Sequence, residues 1–344
     1  MKRILGLLML LFSQQTFVGA ASFVFCLFLG GLTSCSPSKS KELIQELNLE
    51  FVERITEFPD SSFFSDVRKA ECVNGKIYLL DVQRGDIVGL TEDFKQMEIV
   101  APHSEIDLVM PSSFTMKQDT AYIYDSGSVN TLKVYSKGKK IRSMSSSRFR
   151  DKRMAVDDEF FYMSLPTDTS CYLQIDKYTG NNLYYRGDVI NEDDSRIQLL
   201  NKKHLFMGDK NELFAVAECY PYIDRYDLET GKLKERFDIS MFPFIQENID
   251  FIKRQPVEPK SYYTYIDDAC LYKGTLFLLC SMLVDTYSRN MLVKIDVKGK
   301  TMKAVGYYEL PGNFYMSICA SDDYVYAMYS GRDCAIEKYK MNEK

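Results

Sequence analysis

Lys76-Ile77-Tyr78-Leu79-Leu80-Asp81 decides how this chain is read, because the pattern comes back. It returns as Ala121-Tyr122-Ile123-Tyr124-Asp125, Phe160-Phe161-Tyr162-Met163 and Glu212-Leu213-Phe214-Ala215-Val216. Two further copies are Thr275-Leu276-Phe277-Leu278-Leu279 and Tyr324-Val325-Tyr326-Ala327-Met328. The six recur at intervals of roughly 40 to 60 residues, and each is a short apolar-aromatic run of the kind that forms a buried strand. A second element follows several of them: an alternating strand that ends in a glycine turn. Leu132–Tyr135 runs into Gly138, Leu173–Asp176 into Gly180, Ile223–Asp227 into Gly231, and Leu292–Asp296 into Gly299. Alternation closed by a residue able to take positive φ is hairpin chemistry. A helical repeat would instead space its apolar residues by 3.6 positions.

Four strands per unit and six units predict an all-β fold, a six-bladed β-propeller of four-stranded antiparallel blades spanning residues 43–344. The sixth unit, from Tyr315 through Tyr339, stops one strand short, whereas Leu47–Ile55 alternates like a strand that has no unit of its own. The economical solution is closure, with the N-terminal strand completing the last blade and removing an open sheet edge. Residues 41–47 ahead of it also read as a short helix. The connection 240–262 is longer than the others. Its residues 244–253 have amphipathic helical spacing, and Pro256 and Pro259 stop it. It is expected to be a lid or partner surface over one face, or a plug at one end of the channel.

Lys2 and Arg3 precede an apolar run, a polar break at Ser13-Gln14-Gln15, and a second apolar stretch from Thr16 to Gly31. A positive start, an apolar core and a small-residue end make a secretory signal. It closes in Leu32-Thr33-Ser34-Cys35, which resembles a bacterial lipoprotein lipobox. The resemblance implies a signal peptide of residues 1–34, cleavage before Cys35, and lipidation of that cysteine. Two or more acyl chains give stable anchoring. Residues 35–42 read as a tether. The basic residues after Cys35, in place of an acidic cluster, point to the periplasmic side of the outer membrane.

The 344 residues carry 43 Lys+Arg against 48 Asp+Glu, a formal charge of −5, which argues against a nucleic-acid partner. With Cys26 removed and Cys35 lipidated, seven cysteines remain: Cys72, Cys171, Cys219, Cys270, Cys280, Cys319 and Cys334. An odd number without any CxxC pair reads as buried small hydrophobes, leaving room for one or two disulfides but assigning no metal. His103 and His204 sit in unrelated surroundings and read as structural or exposed.

With these repeats in hand, the mature chain resembles the six-bladed propeller lipoproteins of Bacteroidetes, of the TolB-like six-blade type. The carriers are the lipobox, the Tyr-rich second strands, Tyr226-Asp227-Leu228-Glu229-Thr230-Gly231-Lys232-Leu233 and Tyr324–Arg332. The Trp-Asp, kelch and Asp-box signatures of other propellers are absent, and the chain has no Trp. The resemblance implies an architecture rather than an activity.

In such a ring the loops between second and third strands gather with the inter-blade loops at one end of the channel. Their candidate ligand-binding residues are Arg84, Asp86, Asp125, Asn130, Asp168, Glu218, Tyr220, Tyr287, Arg289 and Arg332, types that suit hydrogen bonding and stacking on a polar ligand. Asp81 and Asp125 end two second strands at equivalent places and are the candidates for a Ca²⁺ site. No GxSxG, HExxH, P-loop or GxGxxG motif occurs, and no catalytic residue is assigned. The sequence is therefore read as a lipid-anchored envelope protein, a non-catalytic binding or scaffold propeller for a glycan, a peptide or an envelope protein. The alternative is a carboxylate- or Ca²⁺-dependent hydrolase or lyase.

Overall fold

The computed structural model describes residues 44–344, apart from 128, 146–152, 182–183, 192–195, 210, 257–260, 285 and 343–344. The expected signal peptide, lipobox, Cys35 and tether (residues 1–42) lie outside the described residues. Those described form six four-stranded antiparallel sheets arranged as a six-bladed β-propeller. Blades 1 to 5 span residues 67–101, 111–145, 154–186, 203–238 and 266–309. Blade 6 takes residues 315–341 together with Leu49–Ile55. In blades 1 to 5 the strands follow chain order from one edge to the other. The first strands pack against one another across blades and surround the axis.

The repeated second strands are apolar on both faces because each blade is covered on both sides. Ile77 and Leu79 point toward blade 6, where they meet Tyr326 and Met328; Tyr78 and Leu80 point toward blade 2, where they meet Phe114 and Ile123. The same division recurs around the ring, giving six apolar clusters with one between each pair of neighbouring blades. Full burial of one such side chain is worth roughly 1.5–3 kcal/mol. The core is thus a closed series of interfaces rather than one centre.

Closure occurs as the strand count predicts. Leu49–Ile55 pairs antiparallel with Cys334–Met341, with Leu49 opposite Met341 and Ile55 opposite Ile336. Polar side chains stitch the blades near the axis. Ser317 Oγ accepts the Ala70 N–H at 3.0 Å and donates to Asp268 at 2.6 Å, joining blades 6, 1 and 5. Glu71 accepts the Met116 N–H at 2.8 Å and so joins blades 1 and 2.

Three expectations are corrected or refined. Residues 44–48 are not helical. They lie parallel to the outer strand of blade 5, with the Leu47 N–H donated to Tyr307 O at 2.7 Å and the Tyr307 N–H to Gln45 O at 3.2 Å. Pairing with a free strand edge satisfies more backbone groups than one turn of helix could. Gly138, Gly180 and Gly231 take positive φ in their hairpins, whereas Gly299 does not. The long connection holds a helix (Pro243–Lys253), whose Phe244 and Ile245 are buried, with Phe242 just ahead of it, in the core between blades 4 and 5. Buried Asn248 fastens it, donating to Ser281 O at 2.6 Å and accepting the Leu283 N–H at 2.8 Å. The helix therefore packs on two blades and does not plug the channel. All seven cysteines are free thiols.

Gly306 is the point where the chain in front of the first strand crosses blade 5. A Cβ there would lie 2.6 Å from Gln45 O and 2.8 Å from Leu47 Cγ. Gly306→Val is expected to expel residues 45–47 from that edge and cost about 1–3 kcal/mol. Thermal unfolding together with limited proteolysis ahead of Leu49 checks this; an unchanged midpoint and cleavage pattern would refute it.

Candidate functional site

Each first strand starts at the end of the ring where the second-to-third-strand loops and inter-blade loops meet. In four blades that start is irregular. The register with the second strand slips between Val67 and Lys69, Pro111 and Ser113, Ile266 and Asp268, and Tyr315 and Ser317. A bulge of this kind adds one unpaired residue and re-aims its side chain. The extra residues are Arg68, Ser112, Asp267 and Met316, and all four line one axial cavity of about 690 Å³ to which every blade contributes. Its other end is apolar, with Val73, Met116, Phe206, Met207 and Leu271.

Charged groups crowd the open end. Glu218, from the second-to-third-strand loop of blade 4, pairs with Arg153 at the start of blade 3. The same carboxylate lies 3.1 Å from His204 Nε2, close enough for an ion pair but out of line for a hydrogen bond. His204 Nδ1 is 4.0 Å from Asp268, which is itself 3.7 Å from Lys69 Nζ. Asp267 pairs with Arg289 at 3.1 Å and accepts hydrogen bonds from Ser281 and Thr264. Arg68 pairs with Asp66 at 2.7 Å. Alternating charges thus run from blade 3 through blades 4 and 5 to blade 1.

Burial and partners set the acidities. Burial alone would raise the Glu218 carboxyl, but His204 and Arg153 outweigh it and hold the group at about 2. Burial dominates at Asp267 and at Glu71 and raises both, against the opposing pull of Arg289 and Lys69. The cluster therefore contains carboxyls pushed in opposite directions.

Of the residues singled out from the sequence, Glu218 and Arg289 line this cavity. Tyr287 stands beside Arg289, accepting its Nε–H at 2.7 Å, with its exposed ring edge-on to Phe314. Tyr220 stacks on Tyr222. Arg84 and buried Asp86 pair with each other at 3.0 Å, and the guanidinium lies 4.7 Å over the Phe58 ring. Asp81 and Asp125 are buried and serve their own loops. Asp81 accepts the N–H groups of Ser65, Asp66, Gln83 and Arg84, while Asp125 accepts those of Val109, Met110 and Gly127 and pairs with Lys133. Asn130 is half-buried, Asp168 and Arg332 are exposed, and Gln198 donates to Asp168 at 3.3 Å. Among the described residues no group of three or more His, Cys, Asp or Glu is arranged to hold a metal.

Arg68, Lys69, Glu71, Arg153, His204, Asp267 and Asp268 escaped the sequence reading. A usable signal existed in Arg68-Lys69-Ala70-Glu71 and Asp267-Asp268, charges set inside first strands whose partner strands are apolar. His204, read as structural or exposed, is buried in the cavity wall; its charged neighbours, Glu218 at the far end of the partner strand and Asp268 on the next blade, leave no mark on its local sequence. The second long connection, 187–202 with the short helix α1 (Ile197–Leu200), was also missed. It meets the first at the rim, where Arg196 donates to Ser261 O at 2.9 Å and Lys202 lies over the Tyr262 ring.

Because the folded Glu218 carboxyl is held below its unfolded value, its contribution is complete above about pH 4.5 and is lost as pH falls toward 2. That shift corresponds to about 3 kcal/mol. The native chain should lose this stability between about pH 5 and pH 2, and Glu218→Gln should lose distinctly less over the same interval. Chemical denaturation at a series of pH values checks it; parallel curves would refute it.

No family model matches this chain, and no curated protein matches it. Solved structures do. The chain is similar to a structural-genomics protein of unknown function from Bacteroides thetaiotaomicron, with a TM-score of 0.51 and 12% identity, covering 87% of this chain and 73% of that one. BamB from Moraxella catarrhalis gives a TM-score of 0.46 at 10% identity, covering 86% and 100%. The computationally designed Ika8 protein gives 0.46 at 9%, covering 81% and 97%. At these identities the Bacteroides likeness concerns the fold alone, a β-propeller.

Proposed function

We propose that this chain is a lipid-anchored envelope propeller of the TolB-like six-blade type found in Bacteroidetes, and that it binds a glycan, peptide or protein segment at the charged end of its channel. One observation carries the binding role. Four independent blades bulge at the same register, and all four extra side chains meet in one cavity. Bulges cost ladder hydrogen bonds, so their recurrence around a shared space is what a preorganised binding site requires. A volume of about 690 Å³ lies within the range of small-ligand sites. The lipobox-like Leu32-Thr33-Ser34-Cys35 supports the anchor, and the basic residues after Cys35 support the periplasmic side of the outer membrane.

A specific observation favours a second reading. The ring brings His204, Glu218, Asp267 and Asp268 together from two adjacent blades, and burial raises the Asp267 carboxyl while its neighbours lower that of Glu218. Carboxyls driven apart in acidity are the equipment of acid–base hydrolysis or elimination.

Two measurements test these proposals. Cys35→Ala should move the chain from the membrane to the soluble fraction of the envelope and abolish acyl labelling; unchanged fractionation would refute the anchor. Thermal-shift screening of the chain from residue 36 onward against glycans, peptides and Ca²⁺ should raise the midpoint with at least one ligand class, and Arg289→Gln should diminish that shift. Product formation that ceases in His204→Gln would favour the enzyme; a shift without turnover favours the binder.

A further inference from the structure

We infer that the ligand at the channel mouth is an acidic saccharide, bound through its carboxylate. This rests on reading the mouth as a binding site and names the class of its occupant. In the ion pairs of this cavity the cation is the more exposed partner. Side-chain exposure is 51% for Arg68 against 21% for Asp66, 27% for Arg289 against 9% for Asp267, and 14% for Arg153 against 3% for Glu218. The same order holds for Lys69 over Asp268 and for His204 over Glu218. Glu71, Glu218, Asp267 and Asp268 line the cavity too, but in each pair the carboxylate is the more deeply buried partner and orients its base, so the guanidinium, ammonium and imidazole groups of blades 1, 3, 4 and 5 offer a ligand more surface. Buried His204 Nε2, which lacks an aligned hydrogen-bond partner, belongs to that surface. Fixed guanidinium groups match the planar geometry of a carboxylate and bind it with charge-assisted hydrogen bonds.

The flanks identify the rest of the ligand. Tyr262 lines the cavity with its ring exposed, and exposed Tyr287 and Phe314 stand beside Arg289. Flat rings adjoining a cation fit the apolar face of a sugar ring next to its acid group. Ser112 and Thr264 add hydroxyls to the cavity lining. The chain's net charge of −5 opposes an acidic ligand at long range, so the local cations have to supply the attraction within about one Debye length.

Isothermal titration with cellobiouronate and cellobiose, which differ only in one carboxylate, separates the parts of this inference. A peptide arm uses N-acetyl-alanyl-alanine. Cellobiouronate should bind at least roughly tenfold more tightly than cellobiose, and Arg68→Gln and Arg289→Gln should each weaken it by roughly tenfold. Arg68→Gln changes a well-exposed side chain of the cavity lining and keeps the test valid even if Arg289→Gln, which strips Asp267 of its cation, lowers the thermal midpoint. Equal affinity for both disaccharides, weakened in the arginine variants, would overturn the acidic preference and leave the binding reading intact. Tighter binding of the dipeptide, or native affinity for cellobiouronate in both arginine variants, would overturn the acidic saccharide. Absence of binding by all three probes would overturn the inference together with the small-ligand reading.

Discussion

The pairing of Leu49–Ile55 with Cys334–Met341 is the contact on which the remaining structure depends. Without it blade 6 has three strands, the core between blades 6 and 1 opens to water, and an edge is exposed. With it, six apolar interfaces support one another around a circle, and no blade can shift without disturbing two of them. The chain ahead of this strand also crosses blade 5, so the N-terminal segment holds two blades. Closure forces six first strands to begin at the same end of the same axis. The channel and its mouth follow from that geometry.

What fills the mouth obeys a different constraint. Charges near the axis have lost much of their water, and a lone one would be costly. Each carboxylate there is accordingly held by a cation, a hydroxyl or a backbone N–H group. Glu218 has Arg153 and His204, Asp268 has Ser317 and the Ile318 N–H, and Glu71 has the Met116 N–H. Apart from the Glu218–His204 contact within blade 4, these contacts cross blade boundaries, so they fix the angular relation of the blades as well as the positions of the cations. Such an arrangement suits recognition, since the groups are already oriented before a ligand arrives.

The two kinds of aspartate show how position divides structural from exposed chemistry. Asp81 and Asp125 end second strands, one layer out from the axis, and their oxygens are taken by N–H groups of the preceding inter-blade loop. Asp267 and Asp268 sit on a first strand, at and beside a bulge, and face partners from other elements. The sequence marks the first pair clearly because it recurs at strand ends. It hardly marks the second pair.

Periodicity by itself determined the strands, their grouping into six units, and the unit left one strand short. These are local facts, since alternation and glycine turns are written within a few residues. Closure was legible too, because a surplus strand at one end matched a deficit at the other. The loop candidates were reached by the same local logic, and Glu218 and Arg289 were found because they stand at loop ends. Tertiary structure alone decided that His204 meets Glu218 and Asp268, that four bulges share one cavity, and that the cation is the more exposed partner in its ion pairs. Those relations join residues from four blades whose separation along the chain carries no period. They exist only once the ring is shut and the first strands are turned toward a common axis.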